Sequence, residues 1–150
     1  VASVESSADV VRITTIGPLV VAAWHGPPSR AAAEHLRGAL LVAAAAHGKI
    51  ALLDLVVAGR PTFSEDARSA IVALMREVTC DHGVAHVILL RGIAGTAVRM
   101  FLNGALLLAR PASTSKAFDE LDAALVWLAA QGCEVPSVSV REVAAELMLP

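Results

Sequence analysis

Lys49-Ile50-Ala51-Leu52-Leu53-Asp54-Leu55-Val56-Val57 is the stretch on which the fold turns. It is short and apolar, with Asp54 as the one acid in the run. A strand exposed on one face alternates polar and apolar residues. An unbroken apolar run suits a strand covered on both faces, as in a parallel sheet. Asp54 within such a strand needs hydrogen-bond partners or a shifted pKa. Two readings of it stand open: a general base, or a strand-end acid bonded to a loop. No nucleophile or catalytic motif surrounds it.

Upstream of this run, Ser29 caps a helix over Arg30–His47, which Gly48 stops. Before that, Val10–Thr15 and Leu19–Trp24 flank the turn Ile16-Gly17-Pro18 and read as a β-hairpin. Downstream, Ala58–Pro61 is a loop. Thr62-Phe63-Ser64-Glu65 then has the form of a capping box, with Thr62 as N-cap of a helix running to about Cys80. His86–Leu90 reads as a second buried strand and Arg91–Gly95 as a glycine-containing loop. Thr96 caps a short helix through Leu102 that Asn103-Gly104 ends, and Ala105–Ala109 reads as a short strand. Ser115 caps a helix from Lys116 to Gln131, and a last helix follows Ser139. This order predicts an α/β fold: a mixed sheet of about five strands, an N-terminal hairpin and helices packed against the sheet. A single domain is expected over residues 1–150, with a flexible N-terminus (1–9), a core (10–131) and a C-terminal extension (132–150).

Composition narrows the function classes. Of the 150 residues, 56% are hydrophobic but only 3% aromatic, so stacking platforms for single-stranded nucleic acid are not expected. The formal net charge of −2 gives no general attraction to phosphate backbones. The longest apolar runs, Ala39–Ala46 and Ala123–Ala130, are too short to cross a bilayer. The segment Val1–Asp9 lacks the basic-then-apolar plan of a signal peptide. Cys80 and Cys133 lie far apart and read as reduced thiols. The expectation is a cytoplasmic chain with no membrane span, no nucleic-acid partner and no cofactor.

The element order is similar to that of the STAS superfamily, the small domains of anti-sigma factor antagonists. Asp54-Leu55 near a strand end resembles that family's Asp-Leu pair. Thr96-Ala97-Val98-Arg99-Met100-Phe101-Leu102-Asn103-Gly104 resembles its short helix and glycine exit, and Lys116-Ala117-Phe118-Asp119 its last-helix entry. The resemblance spans roughly residues 10–131. It implies a non-enzymatic protein-interaction or regulatory module whose partner is a regulatory kinase or similar protein. Regulatory members carry an Asp-Ser-Ser/Thr-Gly switch after the Asp-Leu strand. The corresponding segment here is Thr62-Phe63-Ser64-Glu65-Asp66-Ala67. The alternative reading is a binding protein for a lipid or other small apolar ligand, similar to the CRAL-TRIO carriers.

Candidate site residues follow from these readings. Ser64 is a phosphoacceptor at a helix N-terminus, or simply a cap beside Glu65 and Asp66. Arg60, Thr62, Phe63, Arg91, Gly92, Gly95 and Thr96 form the expected partner- or ligand-binding set. They lie in loops at the carboxyl ends of strands, where α/β sheets bind ligands. Cys80-x-His82-x3-His86 has metal-ligand residue types but no fourth ligand nearby, so no metal is expected. Trp24 and His25 line a pocket or a contact surface, or belong to the core. An edge at Ala105–Ala109 or at the first strand permits pairing into a homodimer.

Overall fold

Strands whose side chains alternate between two covered faces, and helical stripes between them, build a three-layer fold. The computed structural model describes residues 5–7, 10–59 and 63–150. Its strands are β1 (Glu5–Ser7), β2 (Val11–Ile16), β3 (Leu19–Trp24), β4 (Ala51–Val56), β5 (Val84–Ile88) and β6 (Ser115–Phe118). Its helices are α1 (Arg30–His47), α2 (Glu65–Glu77), α3 (Gly92–Ala109), α4 (Leu121–Ala130) and α5 (Ser137–Leu147). The strands form one six-stranded sheet in sequence order. β1, β2 and β3 pair antiparallel, and β3, β4, β5 and β6 pair parallel. The mixed sheet, the hairpin and the extra C-terminal helix agree with the expected fold class.

Each parallel strand is added on the same side of its predecessor. Right-handed crossovers then carry α1, α2 and α3 to one face of the sheet. Beneath them lie Val20, Leu52 and Val84 of the strands, with Leu36, Ile71 and Phe101 of the helices. The opposite face carries Val21, Leu53 and Val87, and is covered by Leu128 of α4 and Leu147 of α5. This double cover explains why β3, β5 and most of β4 are buried residue after residue.

Four expectations are corrected. Ala105–Ala109 is not a strand but the end of α3, which starts at Gly92 rather than Thr96. Ala and Leu are strong helix formers and the segment has no β-branched residue, so one glycine at 104 does not stop the helix. It stops at Arg110, in the left-handed conformation with φ 46°, before Pro111. Second, Ser115–Phe118 is strand β6, hydrogen-bonded beside β5, and not the start of a helix. Third, the cap of α2 is Ser64, whose Oγ accepts the Ala67 N–H at 3.1 Å. Thr62 itself lies outside the described residues. Fourth, Glu5–Ser7 of the expected flexible N-terminus pairs with β2.

Two glycines of α3 behave oppositely. A Cβ on Gly95 would stand 2.3 Å from the Leu90 carbonyl oxygen, so the glycine lets α3 start directly against the exit of β5. A Cβ on Gly104 would meet nothing within 4 Å. Gly95→Ala is therefore expected to destabilise by about 1–3 kcal/mol or more, from overpacking against backbone. Gly104→Ala is expected to stabilise by about 0.5–1 kcal/mol, from helix propensity alone. Urea unfolding of both variants checks the pair of signs.

Candidate functional site

Alternation along the three central strands sends Trp24, Asp54 and His86 to the face that α1, α2 and α3 cover. The parallel register places Asp54 beside His86 on adjacent strands. Trp24 reaches across from β3, and its indole Nε1 donates to Asp54 Oδ1 at 3.1 Å. His86 Nδ1 lies 3.0 Å from Asp54 Oδ2. That approach has ion-pair distance but not hydrogen-bond alignment, so neither ring nitrogen of His86 has a hydrogen-bond partner among the described residues. All three side chains are buried, with exposures of 7% for Trp24, 8% for Asp54 and 4% for His86. A buried carboxylate is tolerated only when paired, and the indole and imidazole are its partners here.

These groups border a cavity of about 100 Å³ between the sheet and the helices. Its wall is largely apolar, with Leu36, Leu52, Ile71, Leu74 and Phe101 around the polar floor. Half-buried Pro28, Gly59 and Phe63 also line it, at the carboxyl ends of β3 and β4. Phe63 is held there by stacking on Phe101, with ring centroids 4.1 Å apart and planes 21° from parallel. Cys80 is a further lining residue. Burial, followed by the charges of Asp54 and Asp81, pushes its thiol up to about 12. A thiol so raised stays protonated at neutral pH and is a poor nucleophile.

The expected binding set separates in space. Phe63 lines the cavity, whereas Arg60 and Thr62 lie outside the described residues. Arg91 is exposed and makes no capping bond at the start of α3. Gly92 serves a positive φ of 64°, and Gly95 serves the close approach to Leu90. Thr96 Oγ1 donates to the Gly92 carbonyl at 3.1 Å. The hydroxyl of Ser64 caps α2, and the neighbouring Asp66 accepts from Arg30 of α1. His82 meets the Gln131 carbonyl at 3.2 Å, beyond the end of α4, so it does not join His86. Among the described residues no group of three His, Cys, Asp or Glu side chains is placed to hold a metal.

The sequence groups Cys80 with His82 and His86 by residue type and offers Trp24 and Asp54 separately, so it does not join Trp24, Asp54 and His86. The available signal was three polar or aromatic residues at like-facing positions of adjacent buried strands. No family model, no curated protein and no solved structure matches the chain.

The thiol gives a pH dependence. Below its ordinary value of 9.0, Cys80 is protonated in both folded and unfolded chains. Between there and about 12 the unfolded chain releases the proton while the folded chain keeps it. The stability contributed is therefore full below the ordinary value and is lost as pH rises, by at most about 1.4 kcal/mol per pH unit. Comparison of wild type with Cys80→Ala by urea unfolding between about pH 8 and about pH 10 is expected to show the steeper decline in wild type.

Proposed function

We propose that this protein binds a small, mainly apolar molecule in the cavity between the sheet and helices α1, α2 and α3. The observation that carries the reading is an apolar cavity with an under-bonded polar floor, His86 beside Asp54. Ligand sites combine mostly hydrophobic walls with a few placed polar groups. The volume narrows the lipid alternative. An apolar cavity of about 150 Å³ holds benzene, so about 100 Å³ takes at most a body of about benzene size, such as a small ring or a short chain, and not a whole long-chain lipid. Benzene titration followed by two-dimensional amide NMR is the test. Shifts are expected around Leu52, Ile71, Leu74 and Phe101; saturation without change at these positions counts against the site.

A second reading has its own observation. The STAS resemblance implies a protein partner, and α3 presents an uncovered apolar face. Ile93, Met100 and Leu107 are 83%, 69% and 78% exposed, and Arg99 is the one charge in the helix. By length and composition α3 also suffices to cross a membrane, although here it packs on α2 and β5. Exposed apolar faces of this kind serve interactions. Leu107→Arg is expected to abolish capture of a protein partner in a pull-down while leaving thermal stability within about 0.5 kcal/mol. Capture that is indifferent to Leu107→Arg removes α3 as the docking face.

A further inference from the structure

The polar floor of the cavity selects among ligands, and this inference rests on the proposed cavity binding. We propose that the cavity takes a neutral molecule with a compact apolar body and one hydroxyl group, which donates its proton to His86 Nε2. The argument is a count of bonds. Trp24 Nε1–H is used on Asp54 Oδ1. We place the imidazole proton on Nδ1, the ring nitrogen within ion-pair distance of the carboxylate, 3.0 Å from Asp54 Oδ2. Nε2 is then a bare acceptor, buried and without a hydrogen-bond partner among the described residues. A buried acceptor of this kind is met by an O–H donor.

Charge removes the competing classes. A ligand carboxylate would face the Asp54 carboxylate and the Nε2 lone pair, both of which repel it. A ligand cation would need a free acid. Among the described residues Asp54 is the one acid lining the cavity, and each of its oxygens already faces an N–H group or the imidazole. The remaining polar side chains of the lining offer less. Ser113 Oγ already accepts the Cys80 backbone N–H at 2.7 Å, and Ser115 is only half-buried on the edge strand β6. Among the described side chains of the lining, His86 Nε2 is thus the buried acceptor left without a partner. The volume of about 100 Å³ restricts the enclosed body to a small ring or short chain.

Phenol and toluene have equal numbers of heavy atoms and differ by a hydroxyl against a methyl group, so they isolate the anchor. Affinities of both are measured by NMR titration of wild type and His86→Leu. The phenol-to-toluene affinity ratio is expected to fall on the order of tenfold in His86→Leu, the value of one buried hydrogen bond. The imidazole nitrogen spectrum of wild type gives a second readout that needs no variant: phenol, and not toluene, is expected to shift the His86 Nε2 resonance. Binding of both compounds with an unchanged ratio, or a silent Nε2, overturns the hydroxyl anchor and leaves cavity binding standing. Failure of both compounds to bind wild type overturns cavity binding and the anchor together.

Discussion

Handedness is the constraint from which the architecture follows. A right-twisted strand that returns through a helix to a parallel neighbour does so with right-handed connection. In this chain every parallel step, from β3 to β4, β5 and β6, goes the same way across the sheet. The helices of those steps thus share one face, and the other face of the same strands is left apolar and bare. Residues 121–147 resolve this by folding into α4 and α5 over Val21, Leu53 and Val87. The segment that reads in sequence as an extension, residues 132–150, thus supplies α5 to this layer beside α4 of the expected core.

The same arrangement makes the middle of the sheet its driest place, and that is where the chain puts a carboxylate. Asp54 is flanked by Leu53 and Leu55, both fully buried against the opposite layer. Its side chain points to the helix-covered side, where Trp24 and His86 answer it. The packing there is incomplete, and the void lies against these polar groups. An apolar substitute of similar volume at position 54 would spare the cost of desolvation. An acid, an indole and an imidazole thus border a void in the middle of the sheet.

Much of the fold was legible because its signals are local. The run Lys49–Val57 announced a doubly covered strand, and β4 occupies Ala51–Val56. Ser29 and Gly48 bracketed α1 correctly. Errors arose where one residue was asked to outweigh its neighbours. Gly104 was read as a stop, although the Ala and Leu residues after it favour helix. Ser115 was read as a cap, although the edge of β5 needed a partner and Ser115–Phe118 supplies it. The site was less legible than the fold. Trp24 and Asp54 are 30 positions apart, and they meet because the parallel register sets Trp24 two positions beyond Ala22, the partner of Asp54, on the same face. Register depends on crossover geometry, which a single sequence does not display. The stacking of Phe63 on Phe101 is hidden for the same reason.

The return of α5 to the first strands has a consequence for the order of assembly. Every sheet pairing joins strands that are consecutive in the chain, so the sheet can grow one strand at a time. The contact of His25 Nε2 with the Leu147 carbonyl at 2.7 Å spans 122 positions and closes a long loop on that face. Arg12 reaches the Leu149 carbonyl over a still greater separation. Until α5 docks, the outer surfaces of β2 and β3 remain a greasy, unshielded wall. A nascent or partly unfolded chain exposes this wall, which makes the α5 segment a built-in guard against self-association during biosynthesis.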